Sequence, residues 1–209
     1  MELSLLNSVI PSEIIDEQDL KSEDLVQTLT NNLYPVLQSI VKRYKPKTIL
    51  EIGTRYGYSF CAMLDASDTI EYAVSIDMEN EQDYGGTPGA YLKAQGNLKK
   101  LRESVRWSNL KTLEFVNCNT QKVDSLDFGF PKIDLAYVDG DHSFKGCFHD
   151  LNLVLPLMSE GGVILVDDID WCQLRIPVDT WLADKGFKYD YFPDESGRGR
   201  YVIKLNEKL

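Results

Sequence analysis

The sequence predicts an α/β fold in which one doubly wound, mostly parallel sheet carries helices on both faces. Three observations support this prediction. Short apolar runs recur along the chain, and the intervals between them leave room for helices. The runs are almost continuously apolar, which is typical of strands that are buried on both faces. The last two runs are separated only by a loop, which favours an antiparallel pair at the end of the sheet.

Seven apolar runs are predicted to be strands. They cover residues 48–52, 72–76, 113–116, 133–138, 162–166, 187–192 and 201–205. The stretches between them that are predicted to be helical cover residues 59–64, 91–105, 144–157 and 178–185. Before the first strand, apolar residues recur at helical spacing from Glu23 to Tyr44, and Pro35 is expected to kink this helix or to start a second one.

Length and composition favour one globular domain. The chain has 209 residues, of which 43% are hydrophobic and 26% are charged. We assign residues 31–209 to this domain and residues 1–30 to an N-terminal helical extension. The sequence leaves the oligomeric state open, and a homodimer is possible.

Charge and hydropathy indicate which partners to expect. The net charge is -11 and Lys and Arg form no large cluster, which argues against nucleic acid as a partner. There is no apolar run of about 18 residues and no signal-peptide pattern, so we expect no membrane partner. The lack of a signal-peptide pattern also leads us to expect a cytoplasmic location, in which the four cysteines, which show no Cys-x-x-Cys spacing, would stay reduced.

The residues just after each predicted strand indicate a nucleoside site. In a doubly wound sheet, ligands bind at the carboxyl ends of the strands, where the strand order reverses. Gly53 and Gly57 follow the first strand and permit a tight turn, although alone they could merely end a strand and begin a helix. Asp77 follows the second strand, where a carboxylate can accept hydrogen bonds from ribose hydroxyls. The glycine spacing differs from G-x-G-x-x-G, which disfavours a nicotinamide dehydrogenase.

Three further acids follow the fourth and fifth predicted strands. Asp139, Asp167 and Asp168 are expected to converge, because these two strands are neighbours in a doubly wound sheet. Unpaired carboxylates would repel one another, and a divalent cation that prefers oxygen ligands would remove the conflict. We therefore predict a site for Mg²⁺, or for Mn²⁺ or Ca²⁺. The alternative is that these acids cap a helix or lie in a solvated loop.

The motifs resemble those of a known family. Residues 50–59 resemble the first motif of the class I S-adenosylmethionine-dependent methyltransferases. Residues 133–143 and 161–168 resemble the group often called methyltransferase family twenty-four, and they are similar to the catechol, caffeoyl-CoA and macrocin O-methyltransferases. The resemblance covers about residues 30–205. It implies a Rossmann-like sheet of seven strands with an antiparallel last strand.

The resemblance also implies a role for each site residue. Glu51 would hold the methionine amino group through water, Asp77 would bind ribose and Met78 would pack on adenine. Asn119 and Thr120 would meet the adenine edge, although the family more often has an acid where Asn119 stands. The full set implied for S-adenosylmethionine is Glu51, Gly53, Thr54, Gly57, Tyr58, Ser59, Asp77, Met78, Asn119, Thr120 and Asp139.

The function that follows is methyl transfer to a small molecule, most simply to a hydroxyl oxygen. A hydroxyl with a pKa of about 10 must lose its proton, and a metal held by the three acids would help by Lewis acidity. Asp141 or His142 is the candidate general base, while His149 is expected to be structural. Trp171 is a candidate wall for the acceptor, and the glycine-rich segment 79–91 is a candidate loop over the site.

Three other functions remain open at this point. One is a metal-independent methyltransferase that acts on nitrogen or another atom, and the second is a hydroxylase on the same fold. The third is a non-catalytic nucleoside-binding protein that retains the crevice. Fold alone does not decide between them.

Overall fold

The computed structural model describes residues 10–11, 14, 33–78, 88–104, 106–129, 131–171, 173–193 and 197–208. The helices in these residues are Leu33–Tyr44 (α1), Tyr58–Leu64 (α2), Ala90–Glu103 (α3), Phe144–Val154 (α4) and Arg175–Lys185 (α5). The strands are Thr48–Ile52 (β1), Tyr72–Asp77 (β2), Thr112–Asn117 (β3), Ile133–Val138 (β4), Met158–Val166 (β5), Phe187–Phe192 (β6) and Arg200–Lys208 (β7). Short 3₁₀ turns cover Thr120–Lys122 and Leu155–Leu157.

The seven strands form one sheet in the order β3-β2-β1-β4-β5-β7-β6. β1 pairs in parallel with β2 on one side and with β4 on the other, so the strand order reverses at β1 and β4. β7 lies between β5 and β6 and pairs antiparallel with both. The predicted mostly parallel sheet with an antiparallel last strand is confirmed. The reversal point also fixes where a ligand would bind in such a sheet.

Helices cover both faces of the sheet. Alternate residues of a strand point to opposite faces, so each strand contributes side chains to both helical layers. In β1, Ile49 belongs to the apolar cluster under α1, α2 and α3, whereas Leu50 and Ile52 belong to the cluster under α4 and α5. All five residues of β1 are buried. The strand that ends at the reversal point therefore has a rigid setting.

Several element boundaries differ from the prediction for identifiable reasons. α1 begins at Leu33, so Pro35 lies in its first turn, where a missing N–H costs nothing. The same reason lets α5 begin at Arg175 ahead of Pro177, earlier than predicted. β5 begins at Met158, earlier than predicted, and the prediction missed this start because the residues from Ser159 to Gly162 are polar or glycine.

Some predictions lie outside the described residues. The N-terminal extension, residues 1–30, is described only at Ile10, Pro11 and Ile14. Residues 79–87 of the predicted loop over the site also fall outside the description. Within the part of the chain that is described, no helix combines the length and apolarity needed to cross a membrane.

Candidate active site

A cavity of about 720 Å³ opens at the carboxyl ends of the parallel strands. This volume lies within the usual range for small-molecule and cofactor sites. Most of the residues predicted for the site border it. They are Gly53, Thr54, Tyr58, Ser59, Asp77, Met78, Asn119, Thr120, Asp139, Asp141, His142 and Asp168. Glu51, Gly57 and Asp167 lie behind this lining.

The turn after β1 packs directly against the end of β4. Gly53 has a φ of +91°, and its N–H donates to the carbonyl of Ile76 at 2.9 Å. A Cβ at this position would lie 2.0 Å from the carbonyl oxygen of Asp139. Only glycine fits both the backbone angle and the close approach. The contact fixes the first turn of the site relative to the acids that follow β4.

Glu51 is a fully buried carboxylate, and one of its two oxygens accepts a hydrogen bond from a side chain. Its Oε1 accepts a hydrogen bond from the Ser59 hydroxyl at 2.6 Å. Its Oε2 has no hydrogen-bond partner among the described residues. Burial raises the pKa of Glu51 to about 8, and the nearby charges of Asp139 and Asp77 add to this effect. A cation that reached Oε2 would relieve the cost of ionising the buried group.

Asp77 is oriented by the backbone at the end of β2. Its Oδ1 accepts from the N–H of Met78 at 2.7 Å, and its Oδ2 accepts from the N–H of Arg55. Each carboxylate oxygen offers two lone pairs, so both can still accept a hydroxyl proton from a ligand. The side chain borders the cavity with a fixed orientation.

Asn119 does more than line the cavity. Its Oδ1 accepts from the N–H of Gln121 at 2.9 Å and so caps the 3₁₀ turn Thr120–Lys122. Gln121 in turn donates from Nε2 to the buried carboxylate of Asp150 at 2.9 Å. An adenine amino group at Asn119 would therefore share an oxygen that already accepts one hydrogen bond.

A mixed cluster of acids and histidine lies at the ends of β4 and β5. One ligand atom each from Asp139, His142 and Asp168 lies within 4.8 Å of the others. His142 Nε2 is 3.2 Å from Oδ1 of Asp139 and 3.6 Å from Oδ2 of Asp168. The predicted cluster was Asp139, Asp167 and Asp168, so the histidine takes the place of one acid.

Asp167 lies outside this group, although the Tyr137 hydroxyl is within hydrogen-bond distance of both Asp167 and Asp139. Its Oδ1 lies 2.9 Å from Nε of Arg200, and both side chains are almost fully buried. Its Oδ2 accepts from the Tyr137 hydroxyl at 2.5 Å. The ion pair and the hydrogen bond explain why this carboxylate, predicted as a metal ligand, lies outside the group that the structure brings together.

Each acid of the predicted set has a basic neighbour from the same chain. Arg200 lies beside Asp167, His142 lies beside Asp139, and Arg198 Nη1 is 3.3 Å from Oδ2 of Asp168. Burial, followed by the charges of the neighbouring acids, still raises the pKa of Asp168 above its ordinary value. The positive charges therefore only partly compensate the repulsion that the sequence predicted.

The acids around His142 favour its protonated form. Burial of the ring lowers its pKa, but the hydrogen bond to Asp139 and the charges of the neighbouring acids outweigh burial and raise the pKa to about 9. A protonated imidazole cannot accept a proton. His142 could therefore act as a base only if another positive charge neutralised the acids around it.

Asp141, the other candidate base, contacts the start of α4. Its Oδ1 accepts from the N–H of Ser143 at 2.7 Å, and the carboxylate packs closely on Gly146. His149, on the same helix, bonds the carbonyl oxygens of Thr120 and Val123 at 3.0 Å each. These contacts agree with a structural position for His149, while Asp141 both borders the cavity and supports the helix terminus.

Trp171 forms part of the cavity wall and is 45% exposed. Its ring centroid lies 5.3 Å from that of His142, in an edge-to-face arrangement. The guanidinium of Arg198 lies 4.6 Å from the centroid of the Trp171 ring. The indole therefore contacts His142 of the acid cluster and also borders the cavity.

Sequence reasoning missed Arg198 and Arg200. Arg198 lies two residues before β7 and Arg200 is its first residue, and the antiparallel pairing of Val166 with Tyr201 brings them beside the end of β5. The sequence signal was two arginines in a short loop that also contains two glycines. That signal could be interpreted only after the neighbour of β5 was known.

Comparison with known proteins places the chain among methyltransferases. A family model described as "Methyltransferase domain", of family twenty-four, matches residues 50–169, which is more than half of the chain. The uncharacterized protein y4gI of Sinorhizobium fredii is 26% identical over 134 residues, and the match covers 63% of this chain but only 14% of that protein. The uncharacterized protein R132 of Acanthamoeba polyphaga mimivirus is 25% identical over 159 residues, and the match covers 72% of this chain and 67% of that protein.

Solved structures share the fold. The S-adenosylhomocysteine-bound methyltransferase PaMTH1 of Podospora anserina superposes with a TM-score of 0.65 and 21% identity, covering 96% of this chain and 89% of its own. The O-methyltransferase TomG of Streptomyces achromogenes was solved with S-adenosylmethionine and is involved in tomaymycin synthesis. It superposes with a TM-score of 0.61 and 16% sequence identity, and the match covers 98% of this chain and 90% of TomG.

Proposed function

The chain belongs to the S-adenosylmethionine-dependent methyltransferases, and we propose that it transfers the methyl group to a hydroxyl oxygen of a small molecule with help from a divalent cation. One observation carries this proposal. A single cavity is bordered by Asp77 at the end of β2 and by the cluster of Asp139, His142 and Asp168 after β4 and β5. A methyl donor and an acceptor could therefore meet in it, and proximity of the reacting groups supplies much of the rate enhancement.

The donor end suits the charges of S-adenosylmethionine. The α-ammonium group would satisfy Oε2 of Glu51, the buried oxygen that has no partner among the described residues. Because Glu51 lies behind the cavity lining, a bridging water is the expected form of this contact. Asp77, held by two backbone N–H groups, would accept the ribose hydroxyls.

The adenine is expected to lie between Met78 and the turn that begins at Asn119. Both residues border the cavity at the ends of β2 and β3. Asn119 is already oriented by its bond to Gln121, so its position does not depend on the ligand. The remaining lone pair of its Oδ1 would accept a hydrogen bond from the adenine amino group.

The cluster at the other end has donor atoms that fit a divalent cation. Asp139, His142 and Asp168 would hold it, and the imidazole ligand adds Zn²⁺ to the predicted choice of Mg²⁺, Mn²⁺ or Ca²⁺. When bound, such an ion would supply Lewis acidity toward the acceptor hydroxyl and would orient it. Asp167, held by Arg200, would stabilise the end of β5 rather than bind the ion.

Proton removal is assigned to Asp141. It borders the cavity, and its carboxylate is held in place by the N–H of Ser143. The acceptor hydroxyl would give its proton to this carboxylate as the methyl group arrives. His142 is less suited to the role, because its ring nitrogen would be occupied by the ion that it helps to hold.

One observation favours a metal-independent alternative on the same fold. His142, Arg198 and Arg200 already place a positive charge beside each acid of the predicted set. If these side chains neutralise the acids in place of a metal ion, the acceptor could be a nitrogen or another atom that needs no Lewis acid. Turnover that survives chelation would favour this alternative.

The test begins with donor binding, followed by turnover. S-adenosylmethionine is titrated calorimetrically into chelator-treated protein, with and without millimolar Mg²⁺ or Mn²⁺, and methyl transfer is then assayed on a panel of hydroxylated and amino acceptors. Asp77→Asn should abolish donor binding. The matched control is Asp134→Asn. Asp134 also accepts hydrogen bonds from two backbone N–H groups, those of Lys47 and Thr48, but it lies at the amino ends of the strands, away from the cavity. Donor binding by neither wild type nor control would refute the proposal.

A further inference from the structure

We propose that Arg198 competes with the divalent cation for Asp168 and thereby sets the metal affinity of the site. This inference rests on the metal site of the proposed function. Arg198 Nη1 lies 3.3 Å from Oδ2 and 3.4 Å from Oδ1 of Asp168, so the guanidinium contacts both oxygens of the carboxylate that would offer a ligand atom to an ion. Two cations this close to one carboxylate repel each other strongly in a partly buried setting.

The backbone of Arg198 is fixed to the segment that carries Asp168. The carbonyl of Arg198 accepts from the N–H of Asp170 at 2.7 Å, and the carbonyl of Gly199 accepts from the N–H of Ile169 at 3.1 Å. A Cβ at Gly199 would lie 2.1 Å from Oδ2 of Asp170, so the two segments are in close contact. The side chain of Arg198 therefore starts from a set position and can change its partner only by rotating.

The guanidinium has a second site within reach. It lies 4.6 Å from the centroid of the Trp171 ring, which is 45% exposed at the cavity wall. A cation over an indole face is stabilised without a carboxylate. When an ion takes Asp168, the guanidinium can stay on Trp171 and give up only its contact with the carboxylate.

Burial makes this competition strong enough to measure. The side chain of Asp168 is 2% exposed and that of Arg198 is 15% exposed, so bulk water screens their attraction weakly. Removing one partner of a buried pair leaves the other charge uncompensated. Without Arg198, His142 at 3.6 Å is the basic neighbour of Asp168 that remains among the described residues, and Asp168 would gain more from a bound ion.

The experiment measures Mn²⁺ binding directly, by the loss of the free-ion electron paramagnetic resonance signal, on the chelator-treated full chain. Arg198→Gln should bind Mn²⁺ at least about tenfold more tightly than wild type. It should also show a larger metal-induced rise in melting temperature. Arg175→Gln is the matched control, because Arg175 pairs with Asp170 and lies over the Tyr191 ring away from the cavity. It should bind Mn²⁺ like wild type.

The outcomes separate this inference from the function on which it rests. Equal or weaker Mn²⁺ binding by Arg198→Gln, with S-adenosylmethionine affinity retained to show folding, would overturn the competition and leave the metal site standing. Failure of both proteins to bind millimolar Mn²⁺ would overturn the competition and the metal site together. Methyl donor binding, measured on the same samples, would still report on the methyltransferase function itself.

Discussion

Nε of Arg200 lies 2.9 Å from Oδ1 of Asp167, and the two side chains are 3% and 4% exposed. This buried ion pair joins the first residue of β7 to the end of β5. Because the Tyr137 hydroxyl binds the other oxygen of Asp167, the carboxylate has fixed partners on two sides. The pair has consequences for stability that can be measured.

Arg200→Met should lower the free energy of unfolding by about 3–5 kcal/mol, because it leaves the Asp167 charge buried and uncompensated. Urea denaturation measures the change. Adding Asp167→Asn to the same chain should recover part of the loss. The control is Arg106→Gln, which breaks the more exposed pair with Asp65 and should cost no more than about 1 kcal/mol. Equal losses in the two single variants would contradict the prediction.

Donor binding should release a proton from Glu51. The pKa of this buried carboxyl is about 8, so at pH 7 it is mostly protonated in the protein without ligand. The ammonium group of S-adenosylmethionine favours the charged carboxylate and lowers that pKa. Calorimetry at pH 7 in buffers of different ionisation enthalpy should show release of about one proton. Glu51→Gln should reduce the release to near zero, and an unchanged buffer dependence would exclude this role.

The same carboxyl should affect stability as the pH changes. Its folded-state pKa is raised above the unfolded value, which is about 4.3. The stabilisation from its neutral form is therefore fully present below about pH 4.3 and is lost as the pH rises through about 8. Wild type should lose unfolding free energy relative to Glu51→Gln across this window. Parallel curves for the two proteins would show that Glu51 does not titrate there.

Gly53→Ala should destabilise the protein and weaken donor binding. Its methyl group would overlap the carbonyl of Asp139, and alanine disfavours a φ of +91°. Strain of this kind costs on the order of 1–3 kcal/mol before the overlap is relieved. Gly161→Ala is the control, because a Cβ there meets no atom within 4 Å. Melting temperature and calorimetric affinity report the two effects, and a variant as stable as the control would refute the close contact.

Asp141 can be tested with two substitutions that separate its two contacts. Asp141→Asn keeps an oxygen that can accept from the N–H of Ser143, so stability should change by less than about 0.5 kcal/mol. The variant cannot take the acceptor proton, and kcat should fall by about 10²–10⁴. Asp141→Ala should lose both stability and rate. A normal kcat in Asp141→Asn would transfer the role of base to another group.

Much of the fold follows from apolar periodicity, because the strands between helices are buried on both faces. All seven predicted strands are present, and β1, β4 and β6 have the predicted bounds. The order in which β6 and β7 join the sheet could not be read from their composition, since either could neighbour β5. The order depends on which of the two strands pairs with β5 at Val166, and that pairing is a tertiary contact.

The same limit applies to the candidate site. Asp77 is the last residue of β2 and Asp139 directly follows β4, so their positions could be predicted from the sequence. Asp167 and Asp168 are adjacent in the chain, yet one meets Arg200 and the other faces the cavity. Asp168 has a φ of +55°, which turns the backbone at this point. Residue pattern alone does not encode such a change of direction.

The position of β7 has a consequence for the order of folding. β6 pairs within the sheet only through β7, which comes after it in the chain, while β5 and β7 meet across the whole of α5 and β6. Such non-local pairing raises contact order and slows folding. Until residues 200–208 have paired, β5 and β6 present open strand edges. Chaperones that shield strand edges would be needed most in that interval.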